Sequence, residues 1–303
     1  MIEDTISTGR TLSEMLVPLI KTMRPKQWSK NIFVLAALVF DLKLFSPHFL
    51  VKSLLAFVLF CAISSVVYLV NDLVDIDKDR QHPVKRQRPL ASGQLAPRVA
   101  VIAALLLAAV SLPVAYLLDR GFGAIATAYL ITMILYSFWL KNIVLVDVLT
   151  VASGFVLRVI AGVLLVNTAR FSPWLYLCMV LLALFIAISK RRHEFVLLDK
   201  QANSHRTIFE EYNLPLLDDM TRMVTACAAM AYFLYTFSAP NLPQNHAMML
   251  TIPFVLYGLF RYMYLVHVKN QGGEPEELVL KDRPLLLAVA LWGIMVVVNL
   301  YLL

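Results

Sequence analysis

Long apolar runs separated by short polar connections dominate this chain. A run of about 20 apolar residues, bounded by charged residues, Pro or Gly, is long enough to cross a bilayer as a helix. Windows of this kind predict nine transmembrane helices, near residues 31–46, 48–70, 98–118, 121–140, 143–166, 172–189, 221–239, 246–267 and 284–303. Asp41 and Lys43 interrupt the first window. We therefore predict an all-α, polytopic membrane protein in which residues 1–303 form a single helical bundle domain.

Residues 11–23 have the period of an amphipathic helix but are too short to span a membrane. Their apolar positions follow helical spacing and are Leu12, Met15, Leu16, Leu19, Ile20 and Met23. Thr11 and Glu14 fit a capping box at the start, and Pro18 predicts a kink. Because Lys21 and Arg24 follow at once, we expect this helix to lie in the membrane interface.

Composition and charge define the environment of the chain. Hydrophobic residues make up 60% of the 303 residues, which excludes an ordinary soluble domain. The net charge of +7 comes from lysines and arginines concentrated in alternate connections, whereas the opposite connections contain Lys43, Lys52, Arg120 and Arg170. The positive-inside rule places the N-terminus and two polar loops, near 71–97 and 190–220, on the cytoplasmic side of the cell (inner or plasma) membrane. This basic face attracts anionic membrane lipids, gives no reason to expect a nucleic-acid partner, and is compatible with a homo-oligomer.

Oxygen-bearing side chains cluster at the end of the second window. At helical spacing Asn71, Asp75 and Asp79 share one face, and Asp72 lies about 100° round from them. Asp77 points to the other side. Clustered carboxylates repel one another unless a hard cation such as Mg²⁺ compensates them, and Mg²⁺ binds through one or two carboxylates plus substrate phosphates. The cluster predicts a magnesium-phosphate site, and the alternative is a solvated acidic helix end.

Cations follow the acids in residues 82–89. Lys85, Arg86 and Arg88 lie between two prolines, Pro83 and Pro89, that stiffen the loop. Carboxylates would hold a metal, and these cations would bind the phosphate oxygens that the metal leaves free. Alternatively, the three cations belong only to the positive-inside bias.

Polar side chains also lead into the first window. Lys26 and Lys30 are one helical turn apart, and so are Gln27 and Asn31. Polar pairs repeated at this spacing predict a face that lines a cavity. Snorkelling lysines around the interfacial Trp28 explain the same pattern.

Ionisable residues occur within the fifth window and at the end of the sixth. Asp147 and Arg158 fall on one stripe of the same helix, and buried charges of this kind are costly. We expect Asp147 to pair with Lys141 or to line the pocket, and Arg158 to contact either substrate or a neighbouring helix. Lys190 and Arg191 predict either a second anion site or a stop-transfer cluster.

The acidic motif resembles the first aspartate motif of the UbiA superfamily of intramembrane prenyltransferases, where it binds Mg²⁺ and a prenyl diphosphate. A bundle of nine spans fits that superfamily as well. Its second aspartate motif follows span six, where this chain has Lys190, Arg191 and Glu194 instead. The departure argues against an ordinary aromatic prenyltransferase.

The chain is more similar to the decaprenyl-phosphate phosphoribosyltransferase branch of this superfamily. The matching segments cover nearly the whole chain, at residues 24–31, 71–89, 140–141, 157–162, 190–194, 273–276 and 282–283. The resemblance implies Mg²⁺-dependent transfer of a 5-phosphoribosyl group from phosphoribosyl diphosphate to a polyprenyl (decaprenyl-type) phosphate. Diphosphate would be released, and the product would serve synthesis of a cell-envelope glycan precursor.

The resemblance also implies roles for the candidate site residues. Those expected to bind Mg²⁺-diphosphate are Asn71, Asp72, Asp75 and Asp79. Those expected to bind phosphates are Lys26, Gln27, Lys30, Lys85, Arg86, Arg88, Lys190 and Arg191, with Lys141, Arg158 and Tyr212 as further substrate-binding candidates. Two other functions compete. A UbiA-type prenyltransferase with an aromatic acceptor would need the missing second aspartate motif, and a non-catalytic transporter of lipid phosphates would need charged sites distributed through the membrane.

Overall fold

The computed structural model describes residues 12–168, 172–199, 211–239, 242–243, 245–272 and 275–302. Thr11 of the expected capping box, residues 200–210 of the second polar loop and residues 273–274 lie outside this range. Within it the chain is all-α and contains no strand. The α-helices are α1 (Leu12–Met23), α2 (Ala36–Phe40), α3 (Pro47–Val74), α4 (Ile76–Gln81), α5 (Pro97–Leu118), α6 (Arg120–Phe138), α7 (Val146–Val166), α8 (Pro173–Asp199), α9 (Leu214–Ser238), α10 (Ile252–His267), α11 (Pro275–Lys281) and α12 (Arg283–Tyr301).

Seven helical stretches in the described residues are long and apolar enough to cross a membrane, which makes this a multi-pass membrane protein. They are Pro47–Val74, Pro97–Leu118, Arg120–Phe138, Val146–Val166, Pro173–Val196, Ala247–His267 and Arg283–Tyr301. The prediction of nine spans is not confirmed. Helix α9 is as long as these, but its first turns carry Asp218, Asp219 and Arg222, and it is not among the seven.

The first predicted window differs most from the structure. It is not one α-helix: a 3₁₀ segment, Pro25–Leu35, leads into the short helix α2, which ends at Phe40 before Asp41. Gly162 of α7 explains how closely this segment packs, because a Cβ at that glycine would lie 2.1 Å from the carbonyl oxygen of Val34. We refer to residues 25–35 as the 3₁₀ segment.

Two apolar cores flank α7. One is shared by α3, α5 and α6 and includes Phe60, Ile63 and Phe122. The other is shared by α8, α9 and α10 and includes Phe185 and Tyr262. Because α7 packs against both α6 and α8, it joins the two halves and places the ends of their helices side by side.

Side-chain caps fix the starts of three helices on the two sides of the bundle. Asp119 accepts a hydrogen bond from the backbone N–H of Phe122 in α6 (3.0 Å), and Asn213 accepts one from Leu216 in α9 (2.8 Å). Asp282 does the same for α12. Such caps satisfy backbone donors that the helix itself leaves unpaired.

The two predicted polar loops are more helical than expected. Residues 190–199 continue α8 and residues 214–220 belong to α9, so the expected loop at 190–220 is wrong over much of its length. The reason is that the α8 arginines pair with acids on neighbouring helices and so remain within helical structure. In the first loop, residues 71–74 close α3, residues 76–81 form α4, and Lys85–Gln87 form one 3₁₀ turn.

Candidate functional site

The carboxylates of the acidic motif lie together at the junction of α3 and α4. Asp75 stands between these helices, yet its N–H bonds to Asn71 O and its carbonyl accepts from Asp79 N, so the helical path continues. Asp72, Asp75 and Asp79 are consequently buried on one side. The Asn71 side chain is half-buried. Asp77 points outward, with 84% of its side chain exposed and an ion pair to Arg80.

Basic side chains from two other segments meet these acids. Arg88 Nη1 lies 3.1 Å from Asp72 Oδ1 and 2.6 Å from Asp79 Oδ2, so one guanidinium bridges two carboxylates. Lys141, in the 3₁₀ turn Leu140–Asn142 between α6 and α7, donates to Asp75 Oδ1 at 2.6 Å. The structure therefore pairs Lys141 with Asp75, and the expectation that it pairs with Asp147 is wrong.

Arg24 is a site residue that our sequence assignments omitted. Its Nη2 lies 2.5 Å from Asp72 Oδ1, and its guanidinium stacks over the ring of Tyr68. Its backbone has φ 55° and ψ 62°, the left-handed conformation, at the junction of α1 and the 3₁₀ segment. Non-glycine residues in this conformation are uncommon and concentrate at functional sites. The Arg-Pro pair at 24–25 was the available indication, because helices usually end before a proline.

The 3₁₀ segment distributes its polar side chains differently from an α-helix. Residues three apart eclipse one another in a 3₁₀ helix, and Lys30 accordingly donates to Gln27 Oε1 at 3.4 Å. Lys26 is 86% exposed and lies 3.8 Å from Glu277 of α11. Asn31 is fully buried away from them. The predicted cavity face with a four-residue repeat is thus wrong, because it assumed the α-helical period.

The loop that carries Arg88 holds two further predicted phosphate ligands. Lys85 is half-buried and Arg86 is exposed, both in the 3₁₀ turn that precedes Arg88. His82 shapes this turn, since its Nδ1 accepts hydrogen bonds from the backbone N–H groups of Val84 and Lys85, both at 3.2 Å. The turn delivers Arg88 to the acids and leaves Arg86 facing solvent.

Arg158 lies deep within α7, where neutral groups hold its guanidinium. It donates to Asn31 Oδ1 (2.8 Å), Gly154 O (2.7 Å) and Tyr129 OH (2.7 Å). The guanidinium also stacks on the ring of Tyr129. Of the two readings of Arg158, these contacts favour the one in which it ties α7 to its neighbours, because they join α6, α7 and the 3₁₀ segment.

Arg191 and Tyr212 converge on Asp147 rather than on the acidic motif. Arg191 forms ion pairs with Asp147 and Glu194, and Tyr212 OH donates to Asp147 Oδ1 at 2.7 Å. Burial raises the pKa of Tyr212, so its hydroxyl stays protonated as the donor. Both Arg191 and Asp147 are buried, which contradicts the expectation that Arg191 is a solvent-facing rim residue. Lys190 beside it is half-buried.

The structure thus divides the predicted residues into groups. The acid cluster, as we call it, joins Asp72, Asp75 and Asp79 with Arg24, Arg88 and Lys141 at the ends of α3 and α4. Lys26, Gln27, Lys30, Lys85 and Arg86 lie on segments that also carry members of the cluster. Arg158, Arg191 and Tyr212 make their described contacts elsewhere. Alternating buried acids and bases at a helix end can bind an anion together with a cation.

Comparison with known proteins agrees with this arrangement. The UbiA prenyltransferase family matches residues 31–280, which include the acidic motif, its basic loop and Arg158. The chain belongs to the UbiA prenyltransferase family. It is therefore a membrane-embedded transferase, and the resemblance seen in its motifs is confirmed.

Two relatives match nearly the whole chain. The decaprenyl-phosphate phosphoribosyltransferase of Mycolicibacterium smegmatis is 31% identical, over 96% of this chain and 95% of its own length. The enzyme of the same name from Corynebacterium glutamicum is also 31% identical, over 94% of this chain and 87% of its own length.

A solved structure shares the fold. The UbiA homolog from Archaeoglobus fulgidus, bound to DMAPP and Mg²⁺, has a TM-score of 0.70 over 94% of this chain and 100% of its own. Its sequence identity is 18%, so this likeness establishes the architecture alone.

Proposed function

We propose that this protein transfers a 5-phosphoribosyl group from phosphoribosyl diphosphate to a polyprenyl phosphate and releases diphosphate. The observation that carries the proposal is the acid cluster, in which three buried carboxylates alternate with Arg24, Arg88 and Lys141. Such a site accepts a polyanion accompanied by a divalent cation. The names of the two near full-length relatives support the choice of donor and acceptor.

The donor set of the cluster fits magnesium when a phosphorylated substrate completes it. No group of three or more His, Cys, Asp or Glu side chains in the described residues converges on one metal position. Asp72 and Asp79, however, both reach one point occupied by Arg88 Nη1, so a cation position between them exists. Mg²⁺ typically takes one or two carboxylates and fills its remaining sites with water and phosphate oxygens. Asp72, Asp75, Asp79 and Asn71 would hold it, and it would neutralise charge on the leaving diphosphate.

The residues of this chain act mainly on the leaving group. The bond from the ribosyl C1 to the diphosphate oxygen breaks, and a phosphate oxygen of the lipid forms the new bond to C1. Negative charge builds on the departing diphosphate, where Arg24, Arg88 and Lys141 are placed to donate charge-assisted hydrogen bonds. The acceptor phosphate is already an anion, so the reaction needs no strong general base.

Secondary contacts follow from the segments around the cluster. Lys26, Gln27 and Lys30 on the 3₁₀ segment, with Lys85 and Arg86 on the loop before Arg88, would bind outer phosphate oxygens of donor and acceptor. Lys190 is a further candidate, at the end of α8. We place this face on the cytoplasmic side of the cell membrane, because a soluble phosphorylated donor is met there and the positive-inside bias agrees.

The test is a transfer assay with the purified protein. Labelled phosphoribosyl diphosphate, Mg²⁺ and a polyprenyl phosphate should give a labelled lipid, and Asp75→Asn should abolish most of it. A protein that ignored this donor but coupled geranyl diphosphate to an aromatic acid would replace the proposal with an aromatic prenyltransferase.

A further inference from the structure

The acid cluster is balanced in charge by the protein itself. Asp72 pairs with Arg24 and Arg88, Asp79 with Arg88, and Asp75 with Lys141. Three buried carboxylates therefore face three basic side chains. A cation that arrives from solution meets a site whose negative charge is already compensated.

One oxygen at the centre of the cluster is fully used. Asp72 Oδ1 lies 2.5 Å from Arg24 Nη2 and 3.1 Å from Arg88 Nη1. A carboxylate oxygen has about two lone-pair sites, and two guanidinium groups occupy them here. Because Mg²⁺ binds oxygen at about 2.0–2.1 Å, an ion on this oxygen has to displace at least one of the arginines.

We infer that Arg24 and Arg88 keep the carboxylates closed to a divalent cation until a diphosphate arrives, so that metal and diphosphate bind together. A free metal would expel an arginine that then has no anion to bind. A metal accompanied by a diphosphate brings phosphate oxygens that accept the displaced guanidinium, in the planar geometry that arginine favours. This inference rests on the proposed function, since it assumes a diphosphate ester as the ligand.

Exposure distinguishes the two arginines from the third cation. The side chains of Arg24 and Arg88 are 21% and 25% exposed, whereas that of Lys141 is 5% exposed. Arg24 stands at the junction of α1 and the 3₁₀ segment, and Arg88 follows the 3₁₀ turn Lys85–Gln87. Both can turn toward a ligand without any movement of a transmembrane helix, so they are the residues that exchange carboxylate for phosphate.

The experiment measures metal binding rather than activity. The full-length protein in lipid nanodiscs is dialysed to equilibrium against Mn²⁺, as a countable substitute for Mg²⁺, with and without inorganic diphosphate. Wild type should bind Mn²⁺ about tenfold more tightly when diphosphate is present. Arg88→Gln should bind Mn²⁺ alone about tenfold more tightly than wild type does, because a like charge is removed from the metal position.

Two further variants make the result decisive. Arg80→Gln is the matched control, because Arg80 lies on the same stretch of chain but pairs with the exposed Asp77, and its Mn²⁺ affinity should equal that of wild type. Arg24→Gln serves as a second test and should also tighten metal binding without diphosphate. A melting curve for each variant confirms that it is folded.

The outcomes separate the inference from the proposed function. If wild type binds Mn²⁺ with diphosphate but neither glutamine variant binds Mn²⁺ alone more tightly, the arginines do not close the site and the inference fails while the function stands. If wild type binds no Mn²⁺ even with diphosphate, the metal assignment fails and takes the inference with it.

Discussion

Asp77 differs from Asp75 and Asp79 mainly in direction. All three lie within five residues of one another, but Asp75 and Asp79 are buried beside cations and Asp77 is exposed beside Arg80. The helical period therefore separates residues that composition alone would treat as equal. Their substitutions provide a comparison in which the chemical change is the same.

Asp75→Ala and Asp79→Ala should each lower kcat/KM for phosphoribosyl transfer by about 10² or more, as expected when stabilisation of transition-state charge is lost. Asp77→Ala should stay within about twofold of wild type, because its exposed ion pair contributes little. Steady-state assays with labelled donor measure all three. Full activity of Asp75→Ala or Asp79→Ala would remove these residues from the site.

Arg24 shows which residues could not be assigned from the sequence. The acids were recognised because a regular helix fixes their direction over the described length of α3 and α4. The direction of Arg24 depends on its left-handed backbone, which turns the side chain toward Asp72 across 48 positions of sequence. Neither the turn nor the distant partner has a sequence pattern of its own.

At the scale of elements, contact with α7 determines the position of the 3₁₀ segment. Asn31 and Val34 meet Arg158 and Gly162, which are one turn apart on α7. The same segment carries Lys26, Gln27 and Lys30 at its other end. The packing of one face against α7 thus positions the basic residues next to the acid cluster.

Gly162→Ala should destabilise the protein by about 1–3 kcal/mol and raise the KM for the donor, because the new Cβ would lie 2.1 Å from Val34 O and the 3₁₀ segment has to shift. Gly293→Ala is the control. A Cβ at Gly293 in α12 would meet nothing within 4 Å, so this change should leave both quantities near wild type. Thermal melts in detergent and donor titrations provide the measurements, and an unchanged Gly162→Ala would contradict the packing argument.

The end of α8 is tied to α7 by a buried ion pair. Arg191→Ala would leave Asp147 buried with only Tyr212 as a described polar partner, and breaking such a pair costs about 3–5 kcal/mol. We expect a clear fall in melting temperature. Arg222→Ala removes an exposed pair with Asp219 and should cost less than about 1 kcal/mol. Equal stability of the two variants would return Arg191 to the group of phosphate ligands.

For the whole molecule, hydropathy predicted most of the architecture. The long helices were recognised because about 20 apolar residues are needed to cross a bilayer, and seven of the described stretches meet that condition. The broken first window and the charged start of α9 were not recognised, since both depend on tertiary partners: Gly162 beside the 3₁₀ segment, and Arg192 and His267 beside Asp218. Hydropathy averages over such contacts.

Orientation in the membrane is the remaining prediction at this scale. The face that carries the acid cluster also carries most of the lysines and arginines, which predicts that it is cytoplasmic. Asp77 is exposed on this face, and Arg120 is exposed at the start of α6, at the opposite end of a membrane-spanning helix pair. In a Cys227→Ala background, which removes the exposed native thiol, each position can carry a single reporter cysteine.

A membrane-impermeant maleimide should label Arg120→Cys in intact cells and leave Asp77→Cys unlabelled until the membrane is permeabilised. The background variant alone controls for Cys61 and Cys178, which are buried and half-buried. The reverse pattern would place the acid cluster outside the cell, away from a soluble phosphorylated donor, and would overturn both the orientation and the proposed direction from which that donor enters. Labelling of both positions in intact cells would contradict the predicted alternation of the helices.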